Sequence, residues 1–259
     1  MQDKNSIIKQ QKDFINYLKK KTNNFIETID KTEIETILLS GSVARGDYFP
    51  GKIDGMIDLI IMKKSGSTLT AENLLGKNQK PYIPYHCVQY GDVWFEILFT
   101  DFVTTQDFVK LEEPRKFSFM ESEILFDKND LYSKEIIKIN LLKNEECNRE
   151  LQNKIGYIHY LLSEYKKDRW ERRGAIIQLH ENLNTAVRMG ICCLFYKNNS
   201  YVPAEDRALY YSFTLEKLPE NYGTLIYDLK NQDTLSEDDY NRRESLFRSL
   251  ILDWIEGRK

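Results

Sequence analysis

A glycine, a serine, an arginine and two carboxylates are the residues of this chain whose types and spacing suit chemistry on a phosphate. The run Leu38-Leu39-Ser40-Gly41-Ser42-Val43-Ala44-Arg45-Gly46-Asp47 puts a Gly-Ser step at the end of an apolar stretch. A strand that ends, turns and opens a helix aims unpaired backbone N–H groups and the positive end of the helix dipole outward, where they attract phosphate. In such a turn Gly41 allows close backbone approach and the Ser42 hydroxyl can donate to a phosphate oxygen. Arg45, about one helical turn further on, can brace the turn or the phosphate. Taken alone, Gly-Ser is a common turn and nothing more. Two acids sharpen the picture: Asp58 within Met56–Met62, and Glu96, the lone acid of Val93-Trp94-Phe95-Glu96-Ile97-Leu98. A carboxylate in an apolar strand is costly to bury unless it meets a cation or metal, and otherwise belongs on an edge facing water.

The Gly-Ser run, followed by Ile57-Asp58-Leu59-Ile60-Ile61, resembles the signature of the DNA-polymerase-β-like nucleotidyltransferase superfamily. Its Gly-Ser-x-Ala-Arg-Gly form is similar to the small bacterial branch that holds antibiotic and minimal nucleotidyltransferases. The likeness covers the first half of the chain. It implies two Mg²⁺ ions held on a nucleoside triphosphate (NTP) by an Asp-x-Asp pair, whose side chains share one face of a strand. It also implies a third carboxylate that orients or deprotonates the attacking hydroxyl. By this resemblance Asp58 is the second aspartate, Glu96 takes the third position, and Met56 falls on the first. A thioether is a poor ligand for a hard cation. Asp54 lies about 13 Å from Asp58 along an extended strand and reaches the same metal only through a bulge at Gly55; Asp47 is a further loop candidate. The implied activity is transfer of a nucleoside monophosphate from Mg-NTP to a hydroxyl of a small, antibiotic-like acceptor. The rival expectation, resting on Met56, is a nucleotide- or ligand-binding relative that has lost the metal clamp.

A second constellation lies in the helical half, where Arg173, Ile177, Glu181, Asn184 and Arg188 follow one helical stripe, polar apart from Ile177. Such a stripe faces a cleft or forms structural ion pairs. By resemblance, the C-terminal domain of the antibiotic-type enzymes closes over the nucleotide, which makes Glu181, Asn184 and Arg188 acceptor contacts, with the loop Asn198–Arg207 lining the same cleft. Arg173 and His180 also fit loosely the Arg-to-His spacing of HEPN-type RNases, a short pattern that arises readily by chance. His86 and His159 have no acid or Cys at ligand spacing and read as core or surface histidines.

The elements that must position these residues follow from periodicity. Ser6–Ile29 has a helical pattern, and Ile34–Leu39 and Met56–Met62 read as strands. Cys87–Tyr90 and Asp92–Thr100, broken at Gly91, read as a hairpin, with a further short strand at Ile124–Phe126. Beyond Ser133 the pattern is helical: Glu146–Arg169, Glu171–Tyr196, Glu205–Lys217 and Ser236–Trp254, the last opening on a Ser236 cap with an acidic first turn. The expected fold is α/β (α+β): a nucleotidyltransferase-like domain over residues 1–130, with a mixed sheet flanked by helices, then a C-terminal α-helical bundle over 131–259. The polar break Asp127–Ser133 marks the boundary.

Composition bounds the partners. The 259-residue chain carries a formal net charge of −3, which argues against a protein that coats nucleic acid. The basic run Lys19–Lys21 reads as a solvated helix face. Met1–Lys12 is almost entirely polar, so no secretory leader is expected, and no apolar run approaches the roughly 20 residues that span a bilayer. Cys87, Cys147, Cys192 and Cys193 show neither metal spacing nor a disulfide framework. A cytoplasmic protein whose partners are a nucleotide and a small acceptor, with no membrane partner, is the expectation.

Overall fold

The computed structural model describes residues 4–49, 56–76, 80–82 and 85–258. In chain order the elements are α1 (Lys4–Glu27), β1 (Ile34–Leu39), α2 (Gly41–Arg45), β2 (Met56–Lys63), α3 (Ala71–Leu75), β3 (Lys80–Tyr82), β4 (Tyr85–Tyr90), β5 (Val93–Asp101), α4 (Thr105–Phe108), α5 (Glu113–Met120) and β6 (Glu123–Asp127). They continue with α6 (Leu131–Leu161), α7 (Glu164–Glu171), α8 (Ile176–Lys197), α9 (Glu205–Ser212), α10 (Tyr222–Lys230), α11 (Glu237–Phe247), a π-helical turn (Arg248–Leu252) and α12 (Asp253–Glu256). The chain divides into two compact units, Met1–Asn140 and Leu141–Lys259, and the division falls within α6. The sequence break at Asp127–Ser133 is a helix cap: the Asp127 carboxylate accepts from the backbone N–H of Tyr132 and of Ser133, each at 2.9 Å, and so opens α6.

In the first unit the sheet order is β3-β4-β5-β2-β1-β6. Only β2 and β5 run parallel; the other neighbours are antiparallel, so the sheet is mixed. The expected hairpin is present, with β4 and β5 closed over Gly91-Asp92 and Gly91 at φ 62°. Every residue of β1 is buried, as a central strand requires. One face of the sheet, including Ile37, Leu39, Ile57, Leu59, Ile61, Val93, Phe95 and Ile97, forms a core with Ile15, Leu18, Phe25 and Ile26 of α1. Phe25 stacks on Phe95 with ring centroids 4.3 Å apart. Each such aliphatic or aromatic side chain contributes about 1.5–3 kcal/mol on burial, which is what turns α1 onto this face.

The second unit is helical and is built around α8, whose Leu179, Leu183, Ala186, Val187, Ile191 and Leu194 enter a core with Phe247, Ile251 and Ile255. Several expected boundaries move. The stretch read as Glu146–Arg169 is the end of α6 followed by α7, because Ser163 stops one helix and caps the next, accepting from Lys166 N–H. The helix read from Glu171 begins at Ile176, since Gly174 takes a positive φ of 62° that no helix continues through. The helix read to Lys217 stops at Ser212. The sequence reading lacked α10, although its buried Tyr222, Leu225, Ile226 and Leu229 have helical spacing. Ser236 caps α11 as expected, its hydroxyl accepting from Asp239 N–H at 3.1 Å. No helix among the described residues is long and apolar enough to cross a membrane.

Candidate functional site

The face of the sheet opposite α1 carries the two candidate carboxylates. Asp58 of β2 and Glu96 of β5 are direct register partners, so their side chains leave neighbouring parallel strands on the same side. Strands of one sheet lie about 4.8 Å apart, which brings two carboxylates separated by 38 positions to adjacent places. Both residues are partly exposed, in contrast to Ile57, Leu59, Phe95 and Ile97, which alternate with them on the buried face. Alternation is therefore what aims the acids away from the core. Cys87 of β4 is the register partner of Glu96 on its other side.

The Gly-Ser turn sits directly on Asp58. Gly41 has φ 67°, and a Cβ built on it would fall 1.8 Å from Asp58 Oδ2. Only glycine satisfies both the left-handed backbone and the approach of the carboxylate. Ser40 N–H donates to the Asp58 carbonyl at 2.9 Å, which fixes the turn to the strand. The Ser40 hydroxyl is 2.8 Å from the Ser118 hydroxyl on α5, which fixes it to that helix as well. Val43, wholly buried, anchors the short helix α2, and Gly46 ends it in a left-handed cap. Ser42 is partly exposed. Its carbonyl accepts from the N–H groups of Asp47 and Tyr48, closing the loop that follows.

Arg45 lies 3.5 Å from Asp47 in an ion pair and thus braces the turn it belongs to. Asp47 turns one oxygen to that guanidinium, while its other oxygen is buried without a hydrogen-bond partner among the described residues. Met56 stands two residues before Asp58, on the same face, and is 37% exposed. Its side chain is thus an exposed thioether on the Asp58 face of the sheet. Asp54 and Gly55 lie outside the described residues.

α5 closes one side of this face. Ser118 ties it to the end of β1, and the Arg115 guanidinium lies over the Tyr85 ring of β4 at 5.2 Å. In the sheet order β5 and β2 come between β4 and β1, so the helix spans the two strands that carry Glu96 and Asp58. Sequence reasoning passed over Arg115 and Ser118. Their three-residue spacing is a usable signal, but nothing local in the sequence says which strands lie beneath them.

Magnesium takes oxygen ligands and is commonly held by one or two carboxylates together with substrate phosphates. Asp58 and Glu96, as register partners, are two carboxylates that could serve one such ion. They do not supply a two-ion clamp, because Met56 offers no hard ligand, and no cluster of three or more His, Cys, Asp or Glu among the described residues forms a metal site.

In the second unit two residues of the predicted stripe, Glu181 and Asn184, belong to a polar network. Arg243 of α11 is 1% exposed; its guanidinium donates to Leu229 O at 2.9 Å, His180 Nδ1 at 2.9 Å and Asn184 Oδ1 at 2.6 Å. Burial holds this guanidinium below its ordinary pKa, with the Asp239 carboxylate opposing the shift. Asn184 in turn donates to Glu181 at 3.3 Å. Glu181 itself is exposed. Arg188 bonds Thr185 and pairs with Glu205 at 3.6 Å. His180 is fully buried, with Nε2 against Ser236 O, whereas Arg173 is exposed and bonds Arg169 O. That geometry gives no support to an RNase pair of Arg173 and His180. His159 pairs with Glu256 at 2.9 Å, and His86 lies on the α1 side of β4. No protein-family model matches the chain, and no curated protein is significantly similar to it.

Proposed function

We propose that the chain is a nucleotidyltransferase that moves a nucleoside monophosphate from an NTP to a hydroxyl of a small acceptor. The observation that carries this reading is the placement of Asp58 and Glu96 as cross-strand partners with the Asp58 carboxylate against Gly41 of the Gly-Ser turn. Asp58 and Glu96 would hold a magnesium ion, which when bound neutralises triphosphate charge. The chain's own groups do the rest. Gly41 admits the backbone to the phosphates, the Ser42 hydroxyl donates to a phosphate oxygen, and Arg45 with Asp47 keeps the turn in shape. The acceptor oxygen bonds to the α-phosphorus, the bond to pyrophosphate breaks, and the hydroxyl proton passes to Glu96.

Met56 favours a second reading, a relative that binds nucleotide without transferring it. Titration calorimetry with each NTP, with and without Mg²⁺, combined with pyrophosphate release over a panel of small hydroxyl-bearing, antibiotic-like acceptors, separates the two. Metal-dependent binding with pyrophosphate release supports transfer. Metal-independent binding without release on every acceptor supports the second reading and removes the first.

A further inference from the structure

We propose that Arg115 is the residue of this sheet face that grips the nucleotide's phosphates; the inference rests on the nucleotide-binding reading above and adds a residue to it. Arg115 is half-buried, and its guanidinium stacks on Tyr85. Among the described residues it has no carboxylate within ion-pairing distance and no side-chain hydrogen bond. A guanidinium that no carboxylate occupies is open to an anionic ligand, and its planar fork matches two phosphate oxygens at once.

Its position is what makes phosphate the fitting anion. Tyr85 is the register partner of Leu98, two residues beyond Glu96 on the same face of β5. From strand spacing and rise, the Tyr85 and Glu96 backbones are about 8 Å apart. An arginine side chain on a helix spanning β5 and β2 therefore works over the same ground as the carboxylate pair. Ser118, three residues along α5, shares the Arg115 side of the helix and binds Ser40 at the Gly-Ser turn. The helix is thus held at the turn by one residue and presents its cation with the other. The ring of Tyr85 takes one face of the guanidinium and leaves its N–H edge for the ligand. Ser118 is a positioning residue and Arg115 a binding residue.

The test uses the full chain and three probes in calorimetry with Mg²⁺: an NTP, its nucleoside and inorganic pyrophosphate. Arg115→Gln is expected to weaken NTP and pyrophosphate binding about ten- to thirtyfold, the worth of a charged hydrogen bond, and to leave nucleoside binding unchanged. Arg115→Lys, which keeps the charge and loses the fork, should recover part of that loss. Ser118→Ala should show the same dependence on phosphate, more weakly. An equal loss for nucleoside and NTP means a structural role and overturns the proposal, as does undiminished pyrophosphate binding by Arg115→Gln or none by the wild type. The transfer reading is scored separately. Arg115-dependent pyrophosphate binding with no transfer to any acceptor removes transfer and keeps Arg115; full transfer by Arg115→Gln does the reverse.

Discussion

Gly41 and Asp58 occupy each other's space, and that contact is the most demanding feature of the site. A methyl group at Gly41 meets both a left-handed backbone and the Asp58 carboxylate. Gly41→Ala is expected to cost about 2 kcal/mol or more of stability, from the αL strain and the displaced acid. A urea titration measures it, and an unchanged midpoint would show that the turn relaxes freely. In the transfer reading Asp58→Asn removes a hard ligand with little change of volume. It should abolish Mg²⁺-dependent pyrophosphate release while nucleoside binding persists; unchanged turnover would take Asp58 out of the metal site. Met56→Asp is the converse probe, because Met56 already sits on the Asp58 face. It is expected to raise Mg²⁺-dependent NTP affinity at least about tenfold, as an added hard ligand would. No gain would mean that residue 56 is not a ligand position.

At the scale of elements, the β4–β5 hairpin is tied to α1 by charge as well as by core. Lys21 donates to Asp92 at 2.7 Å, and the Tyr17 hydroxyl binds the other oxygen of the same carboxylate. The Lys21 ammonium, then the Tyr17 hydroxyl, pull the Asp92 carboxyl down to about 2 from its ordinary 3.8. Its contribution to stability is therefore present above pH 3.8 and is lost as the pH falls from there through about 2. Lys21 is shifted upward by the same bond, so its share is lost only as the pH rises beyond 10.5. Lys21→Ala should return the Asp92 titration, followed by NMR, toward 3.8; an unmoved titration would show that the pair does not persist in solution. Helix ends illustrate what was legible. Ser236 announced α11 because capping is local chemistry. The breaks at Ser163 and Gly174 carry local signals of the same kind, a capping hydroxyl and a helix-stopping glycine, which the apolar periodicity running across both masks.

Among the described residues two large hydrophobic clusters share no member, one around α1 and the sheet, the other around α8. Leu183, wholly buried in the second, should cost about 2–5 kcal/mol when cut to Ala, with faster amide exchange confined to residues 141–259. Equal acceleration in β1 and β2 would show that the two cores unfold as one. The sequence by itself determined a strand-bearing first half followed by helices, and the Gly-Ser turn. Each of these depends on period-two alternation, helical period or a turn residue, all of which act over a few positions. Only the tertiary structure decided that Asp58 and Glu96 are register partners, that α5 spans their strands, and that Asn184 bonds a buried Arg243. Register and helix placement minimise the burial cost of the whole sheet and core, and no local stretch of residues carries that sum.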